Sequence, residues 1–165
     1  MNYDPDGRVG ISLTLLILAT LALFVVGAIL SDPGFQRSLN DAVLSLGSGI
    51  KSACEALVKA INDALKKAKK RKKDNKYDNH HIVAWSAWQA APSRDILNGV
   101  GINPKTNGLN IVRIKRNLHL YFNNNTAYYA AVNNLLKPAK GSYSKTTKVL
   151  LLIKSALLAA STASP

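Results

Sequence analysis

The sequence predicts a small α+β module over residues 77–140, preceded by a membrane-spanning helix and a long amphipathic, basic helix. Three observations predict this layout. An uncharged run lies near the N-terminus, a three-and-four apolar period then ends in a lysine cluster, and beyond it the chain changes to short β-prone stretches between turn residues.

The uncharged run begins at Val9, ends at Leu30 and is 22 residues long. As a helix it reaches roughly 33 Å at about 1.5 Å per residue, enough to cross a bilayer core. A cleaved signal peptide is the rival reading. It is disfavoured because Asp4, Asp6 and the single Arg8 make a poor basic leader and GAILSD is a weak cleavage site. Residues 1–35 are therefore assigned as an N-terminal tail and transmembrane helix.

Residues 36–76 follow as an amphipathic helix and basic linker. Apolar residues recur at Val43, Leu46, Ile50, Cys54, Leu57, Val58, Ile61 and Leu65, on one helical face. The helix runs into KKAKKRKKDNK, with eight Lys or Arg between positions 66 and 76. Such a run is either a solvated helix end or an electrostatic arm for phosphates or anionic headgroups.

Within residues 77–140 the apolar stretch 81–85 and the β-prone stretch 109–114 predict strands. Residues 85–97 have helical potential, with Ser93 after Pro92 as a candidate N-cap, and 126–136 read as a helix capped by Thr126. The predicted order is strand, helix, loop, strand, loop, helix. Trp85, Trp88, Tyr128 and Tyr129 are assigned to the core. Residues 141–165 hold a short apolar helix around 149–160, interrupted by Lys154 and better suited to packing than to a second span, and a tail, STASP.

The net charge of +13 is confined to the part beyond the apolar run: −2 over residues 1–50, +7 over 51–76, +5 over 77–140 and +3 over 141–165. The positive-inside rule then places the C-terminal part in a cytoplasm, weakly, because few of these charges adjoin the span. The single cysteine, Cys54, excludes an intramolecular disulfide and a multi-cysteine zinc site, and its place on the apolar stripe indicates packing.

All three histidines, His80, His81 and His119, fall inside the module. Neighbours on an extended strand point to opposite sides, so one of His80 and His81 can bind a metal while the other faces a substrate. Phosphodiester hydrolysis needs both a cation to offset phosphate charge and a base to deprotonate water, and histidine titrates near neutrality. The dipeptide alone fits a pair of structural histidines better.

The surrounding segments change that balance. DNHHIVA, SRDILNGVGI, NGLNIV and HLYFNNNTAYYAAVN occur in order between residues 77 and 136. This set resembles the AHH-type nuclease toxin domains of the HNH and endonuclease VII superfamily, which combine a histidine doublet, a GI turn, an Asn-containing strand and a terminal histidine cluster before Tyr-Tyr. It is also similar to the ββα-metal site of colicin DNases. The resemblance implies a ββα-metal, treble-clef fold, an HNH-type endonuclease for 77–140, and one divalent metal ion.

Residue by residue, the resemblance makes His80 a metal ligand, His81 the general base, and His119 a second ligand. Asn110, nine positions before His119, would brace the loop that orients His81. The third ligand departs from the family pattern. Histidine is common there, whereas this chain offers Asn123, four residues after His119, or Asn124, counted back from Tyr128 and Tyr129. Oxygen ligation favours Mg²⁺ over Zn²⁺ or another transition metal, and loss of the ligand could weaken or inactivate the enzyme. Arg94 matches the family's R-x-I-L element and is a candidate phosphate contact, although a surface charge on a helix reads as well. Arg113, Lys115 and Arg116, beside the site, are better phosphate candidates.

The functional expectation is metal-dependent hydrolysis of nucleic acid, DNA ahead of RNA, with low sequence specificity. YDPDGR at residues 3–8 resembles the end of the core of YD-repeat (Rhs-type) toxins, which implies a toxin effector, secreted or membrane-associated, acting in a cytoplasm and blocked by a cognate immunity protein. No small-molecule cofactor is expected. Two alternatives come from other classes: a membrane-anchored nucleic-acid-binding protein with a structural metal ion, and a membrane-disrupting toxin built from the apolar segment and the basic helix.

Overall fold

The computed structural model describes residues 48–70, 76–123 and 125–164. The proposed transmembrane segment, the YDPDGR hexapeptide, Val43, Leu46, part of the basic run and Asn124 lie outside the described residues. Within them the elements are α1 (Ser48–Lys69), β1 (Tyr77–His81), α2 (Ala91–Gly99), β2 (Ile111–Lys115), α3 (Arg116–Phe122), α4 (Thr126–Leu136) and α5 (Tyr143–Ala163). Short 3₁₀ turns precede α2 and β2 and follow α4. The result is a helix-rich α+β arrangement around one two-stranded sheet.

α1 buries the stripe its periodicity predicts. Cys54, Leu57, Val58, Ile61 and Leu65 are all buried, and Ala53, Ala60, Ala64 and Ala68 keep the same face narrow enough for close helix contact. That face packs mainly on α4 and α3. Burial, with a smaller contribution from Glu55, pushes the Cys54 thiol up to about 11, so it stays an unreactive apolar side chain.

β1 and β2 pair antiparallel, with His80 opposite Val112 and His81 opposite Ile111. Val112 and Ile114 project into the core while Arg113 between them is exposed, the alternation expected of a sheet covered on one face. α5 covers β2 and joins the same buried cluster through Leu150, Ile153, Ala156 and Leu157. The interrupting Lys154 does not break this helix, because its ammonium reaches outward to the Gly108 carbonyl at 3.0 Å. Among the described residues α5 alone is long and apolar enough to cross a membrane by length and composition, but its inner face is buried in this core.

Several local expectations are corrected. The first strand lies at Tyr77–His81 rather than over 81–85, because Ile82 and Val83 turn inward as a loop held by Asn110. The second starts at Ile111, since Asn107 accepts from the Leu109 amide and closes a 3₁₀ turn there. Helix α2 begins at Ala91, with Pro92 in its first turn, and Ser93 is no cap: it is buried and donates to Asn133 of α4. Asn125 rather than Thr126 caps α4, its side chain accepting from the Tyr128 amide. The segment carrying His119, expected as loop, is helix α3.

The predicted GI turn has a specific geometry. Gly101 adopts φ of +78°, its amide bonds to the Asn98 carbonyl, and the Ile102 amide bonds to the Leu97 carbonyl. These paired bonds form a Schellman closure of α2, with Ile102 and Leu97 both buried. A side chain at position 101 would strain the left-handed backbone on which this closure depends.

Candidate active site

The strand pleat sends His80 and His81 to opposite sides. His80 is 2% exposed, while His81 is partly exposed and lines a cleft of about 680 Å³ with Asn79, His119, Asn123 and the 84–89 loop. Asn79 and His81 share one face of β1, as i and i+2 must.

The hydrogen bonds determine where the His80 proton resides. Tyr128 donates its one hydroxyl proton to the Ile82 carbonyl at 3.2 Å, so it accepts from His80 Nε2 at 3.1 Å. His80 Nδ1 is therefore the unprotonated nitrogen, and it is buried with no hydrogen-bond partner. Burial, reinforced by the neighbouring His119 and His81, lowers its pKa to about 3, which keeps the ring neutral. Phe122 and Tyr128 pack against this ring at centroid distances of 5.4 and 5.5 Å.

α3 brings His119 to 5.4 Å from His80, edge to face. Asp78, two residues before His80, lies 3.3 Å from His119 Nδ1 and 3.0 Å from Arg116 Nε. The carboxylate can only accept, so Nδ1 carries the proton and the His119 Nε2 lone pair faces Asn123, whose amide nitrogen is 3.2 Å away. Arg116, then His119, hold the Asp78 carboxyl below its ordinary range. His80 thus carries a buried, partnerless Nδ1 on a ring oriented by a phenol, 5.4 Å between centroids from the His119 ring, whose Nδ1 is held by a carboxylate and whose Nε2 accepts from Asn123. That is a donor set suited to a cation, because a buried unpaired lone pair is costly unless something accepts it.

His81 stands apart from this pair. Its Nε2 lies 3.0 Å from the Lys105 carbonyl, which can only accept; Nε2 therefore bears the proton and Nδ1 is left as the basic nitrogen. Asn110, fully buried, secures that loop: its amide group bonds both the amide and the carbonyl of Val83 at 2.8 Å and the Pro104 carbonyl at 2.6 Å.

The basic candidates take different places. Arg94 donates from Nη1 to the carbonyls of Ala84 and Ala87, bracing the cleft loop from behind. The Lys115 ammonium bonds the Ser164 carbonyl at the end of α5, and Arg113 sits 5.7 Å over the Tyr77 ring. Arg113, Lys115 and Arg116 are not among the residues lining the cleft. The expected core position of the two tryptophans is overturned: Trp85 is 48% and Trp88 79% exposed, both on the cleft wall, because α2 starts only at Ala91 and leaves 84–88 at the surface. Tyr128 and Tyr129 are buried as expected.

Sequence reasoning missed Asp78, Tyr128 as a partner of His80, and Lys105. Asp78 was detectable, since residues two apart on a strand share a face and a carboxylate beside a candidate histidine is its natural orienting partner. The Tyr128 and Lys105 contacts join distant segments and leave no local signal.

A nuclease family of the HNH/ENDO VII superfamily, AHH, matches residues 61–160. The chain belongs to the AHH family. It is accordingly an endonuclease, a hydrolase of phosphodiester bonds whose substrate is nucleic acid. The AHH match takes in the C-terminal part of α1 from residue 61 and nearly all of α5, the two helices that complete the core around the sheet. In this AHH chain Asn79 stands where the conserved triplet has alanine, and it adds an amide to the cleft wall. Nucleases of this superfamily generally use a divalent metal ion. Among the described residues no group of three or more His, Cys, Asp or Glu is arranged to hold a metal ion, so His80 and His119 would need amide, water or phosphate oxygens to complete a coordination sphere. No curated protein matches the chain, and no solved structure does.

Proposed function

We propose that this AHH nuclease is metal-dependent, with His80 Nδ1 and His119 Nε2 holding one divalent ion and His81 Nδ1 accepting the proton of the attacking water. The observation that carries the proposal is the division of roles among the three rings. The His80 and His119 rings lie 5.4 Å apart, each with one unprotonated nitrogen, while His81 lines the cleft with Nε2 tied to Lys105 and Nδ1 left to take a proton. A bound divalent cation would offset charge on the scissile phosphate and the leaving oxygen. The chain's own residues do the rest: Asp78 and Tyr128 orient the two ligand rings, and Asn110 holds the loop that orients His81.

Asn123 is the favoured third donor: its amide nitrogen donates to His119 Nε2, and a half-turn of that amide as an ion takes the lone pair would present its carbonyl oxygen, which makes Mg²⁺ the first ion to test, with Zn²⁺ and other transition ions next. The substrate is DNA ahead of RNA and is bound with low sequence specificity, since backbone-directed positive charge carries no base information. A toxin effector role, acting in a cytoplasm and countered by an immunity protein, is supported by the YDPDGR resemblance, and membrane association by the apolar run ending at Leu30.

The test is cleavage of plasmid DNA and of RNA by the full chain under a panel of divalent ions, with a chelator control. Cleavage restored by one added ion and abolished in His80→Ala supports the proposal. Cleavage that persists in chelator overturns metal dependence.

A further inference from the structure

The chain contains two tryptophans, and both stand in the wall of the catalytic cleft with large exposed areas. Exposed indole is unfavourable in water, and a loop could reduce the cost by folding these rings inward. This loop is prevented from doing so. Arg94 fixes the carbonyls of Ala84 and Ala87, Asn133 donates to the Gln89 carbonyl at 2.8 Å, and Asn110 fixes Val83. Three separate side chains therefore hold the stretch from Val83 to Gln89, and the rings are presented rather than merely left out. The Lys105 ammonium lies 4.8 Å from the Trp85 ring centroid, placing a cation beside the aromatic wall on the loop whose carbonyl orients His81.

Exposed, rigidly held aromatic rings with an adjacent cation form the surface that binds unpaired bases: each base offers a π-face, and the cation meets the backbone. In a duplex both faces of each base are already stacked, and exposing one requires unpairing that costs a few kcal/mol. From this placement we infer that the substrate is engaged as a single strand or an unpaired stretch, with one base stacking on Trp88 and the strand passing Trp85 and Lys105 towards His81. The inference deepens the nuclease assignment by naming the form of nucleic acid the cleft accepts, and it is independent of which metal the histidines hold.

Because the chain has no other tryptophan, fluorescence excited at the red edge, where its six tyrosines do not absorb, reports on these two rings alone. The full chain, kept in chelator so that no cleavage intervenes, is titrated with a single-stranded oligodeoxynucleotide, the duplex of the same sequence, and an abasic strand of equal length. The expected result is quenching by the single strand at concentrations at which the duplex and the abasic strand quench weakly. Trp88→Ala should weaken single-strand binding, read by anisotropy of a labelled strand, by about tenfold, and Trp88→Phe should restore most of it. Equal quenching by single strand and duplex, or unchanged affinity in Trp88→Ala, would overturn the inference and leave the rings as a surface for a protein partner. If the full chain cleaves nothing with any metal but still shows the strand-selective quenching, the catalytic proposal fails and the stacking surface stands.

Discussion

The Lys105 carbonyl does more for His81 than hold it in place, because an acceptor at Nε2 dictates that Nδ1 is the nitrogen left to take a proton. His81→Ala should therefore lower kcat about 10²- to 10⁴-fold while leaving single-strand affinity within a factor of two or so. Gel-based cleavage rates with a parallel anisotropy titration check this, and an undiminished rate would remove His81 from the mechanism. Asp78 acts one step away, through His119. Asp78→Asn should weaken metal binding by about 10- to 100-fold in a calorimetric titration, with activity recovered at higher metal concentration. A rate loss that no amount of metal restores would mean that Asp78 serves the reaction otherwise. The histidines and Asn110 were legible in the sequence because they are rare or occur at telling intervals. Their partners were not: Tyr128 meets His80 across 48 positions, and Lys105 meets His81 through a backbone atom that any residue type could supply.

Elements with a long apolar period were the easiest to foresee, since period alone fixes which face of α1 is buried. The strands were displaced because Ile82 and Val83 look like strand residues. What makes them loop is the buried amide of Asn110, which bonds both backbone groups of Val83 and so substitutes for a ladder partner. The tryptophans were misplaced for a related reason: aromatic size suggests a core, and only the Arg94 clamp reveals a presented surface. α5 offers a test at this scale. Ile153 is fully buried against the cluster shared with α1 and the sheet, so Ile153→Ala should cost about 2–5 kcal/mol and lower the thermal midpoint of the full chain. An unchanged midpoint, measured by circular dichroism, would mean that α5 does not pack there and would favour a membrane role for this helix.

Across the whole molecule, proton binding sets where the metal-free fold is stable. His80 is neutral when folded, its pKa lowered to about 3 by burial and then by His119 and His81, while in the unfolded chain it titrates near its ordinary value of 6.5. Between those values the unfolded chain binds a proton that the folded chain does not, so stability rises with pH and is lost as pH falls from about 6.5 towards 3. Asp78 acts in the same direction at the acid end, because its carboxyl is held down by Arg116 and His119 and protonation releases both. The full chain in chelator should therefore show a denaturant midpoint that declines steadily below pH 6.5. His80→Phe, which keeps an aromatic ring among Phe122 and Tyr128, should flatten the decline over most of that window even if it shifts the midpoint as a whole. Saturating divalent metal should steepen the decline, since the ion binds only the deprotonated ring and protons then compete with it directly. A midpoint independent of pH between 6.5 and 4 in the unsubstituted chain would show that His80 is not buried as a neutral ring, and with that the case for its Nδ1 as a ligand would fall.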